Sequence, residues 1–117
     1  VGITEHSAIG LDIEHVAGHD WLAIFAYMQW PIPALPNQVP IEVLCCCIWT
    51  IFEAGFKLYG GLVSEADFHL CSISFHASGS VMSRCIFTFE AAFQDQYYGG
   101  KGLAETDWTI SVAKQCL

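Results

Sequence analysis

Basic residues are scarce in this chain. Its 117 residues include 4 Lys and Arg against 12 Asp and Glu, which gives a formal net charge of −8. Nucleic-acid surfaces carry clustered Lys and Arg that neutralise phosphates, and anionic lipids are held by polybasic segments. The composition therefore predicts neither a nucleic-acid partner nor electrostatic attachment to a membrane.

A long uninterrupted apolar run is also missing. The densest one, Val43 to Phe52, lies between Glu42 and Glu53, whereas a membrane-spanning helix needs about 20 apolar residues. The first residues contain no basic segment followed by an apolar one, so no signal peptide is expected. With 54% hydrophobic residues at this length, the sequence predicts one soluble domain over residues 1–117.

Cysteine pairs with metal-binding spacing are absent as well. The six cysteines include the adjacent triplet Cys45–Cys47 and form no CxxC pair. His15 and His19 have the spacing of two imidazoles on one helical face, but Gly18 between them favours a helix end. The sequence thus predicts no metal and no cofactor. It also indicates that the thiols are buried apolar groups in a reducing, cytoplasmic setting.

The segment Ile41–Tyr59 is the strongest structural signal that is present. At 100° per residue, Glu42, Glu53 and Lys57 fall on one edge with Thr50 beside them, and the remaining positions are apolar or small. This pattern predicts a helix that is covered on most of its circumference, with Glu53 and Lys57 as an i,i+4 pair on a solvated edge. Such a helix needs a curved sheet or a second helical layer around it.

The residues before this helix also favour helical structure. Ile9, Ile13, Val16 and Ala17 would share one face of a helix over residues 4–17, which Gly18 would end. Asp20 is a suitable N-cap for a short helix whose body is WLAIFAYM. Four prolines between residues 30 and 40 exclude a regular element there.

The residues after the helix show the two-residue period of strands. Residues 67–76 change parity near Cys71 and Ser72, which predicts a β-bulge, and residues 77–80 suggest a turn. Residues 81–93 alternate with Phe87 and Phe89 on the apolar face. We expect a turn over the glycine-rich residues 94–102 and a last strand over residues 104–112, with Trp108 on its buried side. Helices then strands define an α+β protein.

This order resembles the nuclear-transport-factor-2-like superfamily, which includes SnoaL-type cyclases and ketosteroid isomerases. The resemblance rests on HVAGHDWLAIFAYMQWPIP, PIEVLCCCIWTIFEAG, FHASGSVMSRCIFTFEAAF and LAETDWTISV. It implies a cone-shaped α+β fold, with N-terminal helices packed in a strongly curved antiparallel sheet and a homodimer through the sheet. It also implies a pocket for a small apolar molecule, and the expected lining residues are Trp30, Trp49, Phe87 and Phe89.

The same resemblance implies acid–base isomerisation, dehydration or cyclisation. Asp107 stands where ketosteroid isomerases place a protonated oxyanion-hole aspartate, a role that requires burial, and His15 lies near the place of their tyrosine donor. Their general base is replaced by Trp30. A separate candidate base comes from the strand pattern, because the bulge would bring His69 and His76 onto one face, and a histidine titrates near neutral pH.

Two alternatives stay open. Hotdog thioesterases and dehydratases also wrap a sheet around one long buried helix, with strands on both sides of it in the sequence. Their D-x-D-x-x-G-H pattern is similar to Asp12, Glu14, Gly18 and His19, with one residue inserted. The other alternative is a non-catalytic ligand-binding or dimerisation module, or an engineered scaffold without selected activity, which the cysteine triplet and the single arginine favour.

Overall fold

The computed structural model describes residues 8–34, 39–77 and 84–116. It shows an α+β fold with two helices and a five-stranded antiparallel sheet that does not close, because the strand order β1-β5-β4-β3-β2 leaves β1 and β2 at the edges. The elements are β1 (Ile9–His15), α1 (Trp21–Met28), α2 (Ile41–Leu58), β2 (Phe68–Ala77), β3 (Arg84–Phe93), β4 (Gln96–Glu105) and β5 (Trp108–Gln115). A 3₁₀ turn, Glu65–Asp67, precedes β2.

The predicted N-terminal helix is wrong over its described part, which forms strand β1. The residues Ile9, Leu11 and Ile13 alternate with Gly10 and Asp12, and this two-residue period competes with the helical one. Pairing with β5 from Ile9–Lys114 to His15–Trp108 decides in favour of the strand. The inner face of β1 is its polar one, because Gly10 lies against the backbone of α2 where a Cβ would overlap the Ala54 carbonyl.

Both other predicted helices are confirmed. Helix α1 begins after Asp20, whose Oδ1 accepts a hydrogen bond from the Ala23 N–H at 3.2 Å, and it ends at Gln29 in a left-handed conformation. Helix α2 is covered on most of its surface, and eleven of its 18 residues are buried. In the described part of the chain, no helix is long and apolar enough to cross a membrane.

The turn predicted over residues 94–102 is confined to residues 94 and 95, and the rest of this segment belongs to strand β4. Three glycines suggest a loop, but Gly100 and Gly102 lie directly opposite Phe89 and Phe87 of β3. A Cβ at Gly102 would overlap the Phe87 ring, and one at Gly100 would overlap the Val112 carbonyl of β5 and lie 3.0 Å from Phe89 Cζ. These glycines therefore make room for two large core side chains within a regular strand.

The last strand has a different start and the opposite orientation from those predicted. Residues 106 and 107 form a bend between β4 and β5, and Thr109, Ser111 and Ala113 face α2 and are buried, whereas Val112 is exposed. The bulge in β2 is confirmed as a register shift between Leu70 and Ser72. The turn predicted at residues 77–80 and the first residues of the strand predicted at 81–93 lie largely outside the described residues.

Candidate functional site

A cavity of about 460 Å³ lies between the segment that follows α1, the middle of α2 and the start of β2. This volume falls within the range of small-molecule sites. Its lining is mostly apolar and includes two polar residues, and strand register places the side chain of one of them, His69, on the opposite face of the sheet. The lining residues are Gln29, Trp30, Pro31, Pro33, Ile48, Phe68, His69 and Leu70.

Trp30 is the central aromatic residue of this wall. Its ring centroid lies 4.9 Å from that of Phe68 and 4.9 Å from that of Phe52, and it meets Phe25 edge-on at 5.3 Å. Aromatic rings at these separations support one another beyond simple burial of area. The Trp30 ring is therefore held in place by α1, α2 and β2 together, which gives the cavity a fixed wall.

Of the four residues predicted to line a pocket, one lines this cavity and three lie elsewhere in the fold. Trp30 lines the cavity, and Trp49 packs on Trp30 with 5.8 Å between ring centroids. Phe87 and Phe89 are buried in the core between the sheet and the helices. Ile48, Phe68 and Leu70 also line the cavity and were not predicted to do so. The alternation of apolar residues before the predicted bulge could have indicated Phe68 and Leu70, because it places both on one face of β2.

The three predicted catalytic residues do not converge. His15 and Asp107 are both exposed, and their backbones are adjacent because the Val16 N–H donates to the Asp107 carbonyl at 2.9 Å. His76 lies on the opposite edge strand, four strand spacings or about 19 Å away. None of the three lines the cavity. His69 and His76 share the outer face of the sheet, which is the face away from α2, as predicted from the bulge. The His76 ring contacts the Thr88 hydroxyl at 3.2 Å.

A group of carboxylates on the other side of α2 was not predicted as a unit. Asp12 is buried on the inner face of β1, where Lys57 Nζ donates to its Oδ1 at 2.9 Å. Asp12 Oδ2 has no hydrogen-bond partner among the described residues. Burial, and then the negative charge of Asp12, raises the pKa of nearby Glu53. Lys57 therefore neutralises Asp12 across the helix–strand contact instead of serving only as an i,i+4 partner of Glu53.

A chain of buried hydroxyl and thiol groups continues this polar side of α2. Thr50 Oγ1 donates to the Cys47 carbonyl at 2.8 Å and lies 2.8 Å from Ser111 Oγ, so Ser111 donates to Thr50. Thr109 connects Thr50 to Cys46, whose Sγ lies 3.3 Å from the Thr109 hydroxyl. Burial raises the pKa of Cys46 to about 11, so this thiol stays protonated at neutral pH.

The residues of the hotdog-like pattern are partly brought together. Asp12 and Glu14 lie two apart on β1, and His19 Nε2 lies 3.7 Å from Glu14 Oε1. Gly18 adopts a positive φ of 86° in the turn before α1, where a side chain would be strained. This turn returns the chain from β1 towards α1 and brings His19 beside Glu14.

Within residues 8–34, 39–77 and 84–116, no group of three or more His, Cys, Asp and Glu side chains is placed to hold a metal ion. Comparisons with protein-family models, with curated proteins and with solved structures find no match to this chain. The resemblances to the nuclear-transport-factor-2-like and hotdog families rest on residue patterns and element order alone.

Proposed function

We propose that this protein binds a small hydrophobic molecule in the cavity beside Trp30. The observation that carries the proposal is the cavity itself, with about 460 Å³ and a wall built mainly from aromatic, proline and aliphatic side chains. Pockets of this size and composition bind ligands chiefly by burying apolar surface, and a few polar groups fix the orientation. Gln29 supplies such a group here. The strongly curved, cone-shaped sheet of the resemblance stays part of this proposal.

The distribution of titratable groups favours binding over catalysis. Ile48 lines the cavity, whereas Glu53 is five positions further along α2 and therefore about 140° around the helix. Asp12 and Lys57 lie with Glu53 on that other side, against β1. A general acid or base must come within hydrogen-bond reach of the reacting group. His69 is the only titratable residue in the described part of the chain that lines the cavity, and its side chain lies on the outer face of the sheet, away from α2.

Binding of the neutral fluorescent probe Nile red tests this proposal. We expect saturable binding of one probe per chain, and the variant Leu70→Trp, which fills the cavity from β2, should weaken it at least about tenfold. Leu62→Trp is the matched control, because Leu62 is 92% exposed and away from the cavity. Equal binding by both variants, or no saturable binding by the unaltered chain, would reject the cavity as a ligand site.

A second candidate function is hydrolysis or dehydration of an acyl thioester, as in hotdog enzymes. The observation that favours it is the element order, in which one strand precedes α2 and four follow it, since hotdog folds place strands on both sides of the long helix. Asp12, Glu53 and Glu14 near this helix supply the carboxyl groups for acid–base chemistry. Fold likeness alone does not establish a reaction, so this candidate stands second.

Hydrolysis of a panel of acyl-coenzyme A thioesters of increasing chain length tests the second candidate. An enzyme should lose at least about 100-fold in kcat/KM in the variant Glu53→Gln, which keeps the shape and removes the charge. Glu42→Gln on the exposed start of the same helix should keep full activity. Absence of turnover with every thioester, or equal turnover in both variants, would reject the candidate.

We further propose a reducing, cytoplasmic setting. Support comes from the cysteines, since all six are free and four of them, Cys45–Cys47 and Cys85, are buried. Buried thiols of this kind serve as small apolar side chains, and exposed unpaired thiols persist where the surroundings are reducing.

A further inference from the structure

The cavity beside Trp30 lies at the carboxyl end of helix α1. Its lining begins at Gln29, the residue that ends this helix, and continues through Trp30, Pro31 and Pro33. The last carbonyl groups of a helix carry a partial negative charge of roughly half an elementary charge, which attracts cations near the last turn. No basic side chain lies in the last turn of α1 to offset this charge.

The sequence after α1 leaves acceptor groups at this helix end. The Trp30 N–H donates to the Phe25 carbonyl at 3.0 Å. The helical partner of the Tyr27 carbonyl would be the N–H of residue 31, and Pro31 has none. A carbonyl without its helical partner bonds to solvent or to a ligand. The helix therefore ends at the cavity with acceptors and without a positive charge.

The aromatic wall of the cavity also suits a cation. Trp30 and Phe68 both line it, with 4.9 Å between their ring centroids, and Trp49 packs on Trp30. A cation within about 6 Å of a ring centroid is attracted to the face of the ring, and tryptophan gives the strongest attraction. The Trp30 ring is partly exposed, so its surface is accessible to a ligand.

All four basic side chains of this protein lie away from the cavity. Lys57 is bonded to Asp12 at 2.9 Å, and it follows Ile48 by nine positions, which places it half a turn around α2 from the cavity. The other three lie on the outer face of the sheet, and they are Arg84, Lys101 and Lys114. A carboxylate or phosphate would therefore enter the cavity without a counter-ion, in a chain that carries −8.

We propose that the ligand of this cavity is an apolar molecule that carries a cationic amine or quaternary ammonium group. This ligand class rests on the proposed function, because the ligand occupies the same cavity. The apolar body is buried against Ile48, Phe68 and Leu70, and the cation lies at the end of α1 against the Trp30 ring. An uncharged molecule with the same body gains only the burial, and an anionic one is opposed by the helix end and by the net charge.

Calorimetric titration with decyltrimethylammonium, decanol and decanoate tests the proposal, because these ligands share a decyl chain and differ in charge. Each is used below its micelle-forming concentration. The cation should bind at least about tenfold more tightly than decanoate, with decanol between them. Added salt should narrow this difference, because it screens the charge of the protein. The variant Leu70→Trp should weaken binding of the cation at least about tenfold, whereas the control Leu62→Trp should leave it unchanged.

The variant Gln29→Lys is designed to reverse the preference. It places a positive charge at the carboxyl end of α1, where a helix favours one, so the variant is expected to fold. Decanoate should then bind at least about tenfold more tightly than it binds the unaltered chain, and the cation should bind more weakly. Leu62→Lys adds the same charge at a residue that is 92% exposed and away from the cavity, and it should keep the original preference.

Decanoate that binds the unaltered chain as tightly as the cation does would overturn the cationic ligand class. Binding of the cation that survives Leu70→Trp would overturn it as well, because the attraction would then come from the acidic surface alone. If Nile red still binds in either case, the cavity remains a ligand site and only its preference for a cation is rejected. Absence of binding by Nile red and by all three decyl ligands would overturn both proposals.

Discussion

Glu53 is a half-buried carboxyl group whose ionised form the fold disfavours. Burial raises its pKa first and the charge of Asp12 raises it further. The folded protein therefore binds this proton more tightly than the unfolded chain. The unfavourable contribution is present at neutral pH and is relieved as the pH falls through the raised pKa.

From this sign we predict that Glu53→Gln raises the melting temperature at pH 7 by a small amount, on the order of 2 °C, because solvent screens a half-exposed group. The gain should vanish near about pH 4, where the carboxyl of the unfolded chain is also largely protonated. Circular dichroism melts at both pH values measure this, with Glu42→Gln as the exposed control on the same helix. An equal gain at both pH values would contradict the electrostatic explanation.

For this edge of α2, the sequence predicted which residues share the edge but not what surrounds them. The helical wheel placed Thr50, Glu53 and Lys57 correctly on one edge of α2. It assigned that edge to solvent, whereas Thr50 is fully buried and Lys57 bonds to Asp12. Polar residues on a helix edge are normally solvated. Only the position of β1 and β5 reveals that this edge faces polar groups of the sheet.

At the scale of elements, buried hydroxyl groups connect α2 to β5. Ser111 donates to Thr50, which in turn donates to the Cys47 carbonyl. We predict that Thr50→Val destabilises the protein by about 1–3 kcal/mol, because Ser111 is then left buried without its partner. Ser111→Ala in addition should restore part of the loss.

A double-mutant cycle from urea unfolding measures this coupling, expected at about 1 kcal/mol. The pair Thr88→Val and Ser74→Ala on the outer face is a suitable control, since these residues lie opposite each other on β2 and β3 outside the core. Additive effects at Thr50 and Ser111 would show that the hydroxyl chain does not hold the helix on the sheet.

The features predicted correctly are those that neighbouring residues in the sequence determine. Asp20 capped α1 as expected, and the parity change at Cys71 located the bulge, because both signals lie within a few residues. Strand β1 and the face of β5 depend on residues far away in the sequence. Ile9, Leu11 and Ile13 fit a helix or a strand, and the choice is made by pairing with β5. Gly100 and Gly102 resemble a turn until Phe89 and Phe87 are placed over them.

At the scale of the whole molecule, thiol accessibility reports the intact fold. Cys71 and Cys116 are exposed, and the other four cysteines are buried. Burial raises the pKa of Cys45 and Cys46 to about 11, which also suppresses their reactive thiolate. We predict that Ellman's reagent modifies two thiols rapidly in the native protein and all six in urea. The four slow thiols should react at one common rate, because they become accessible only through global unfolding.

A mixture of rates among the buried thiols would contradict that expectation. Fast reaction of the Cys45–Cys47 triplet alone would instead show that α2 detaches from the sheet by itself. The variant Cys71→Ser with Cys116→Ser leaves the buried set alone and removes the rapid phase, so it provides the reference for the slow phase.

The pairing of β1 with β5 affects the rate at which the protein folds. Ile9 finds its partner at Lys114, so the ladder between them joins residues from nearly opposite ends of the described chain. Closing so long a loop is entropically demanding, and sheets built from distant pairs fold slowly. During synthesis, β1 emerges from the ribosome long before β5. Until β5 is synthesised, the polar edge of α2 lacks its hydrogen-bond partners Thr109 and Ser111, and strand β1 lacks the strand with which it pairs.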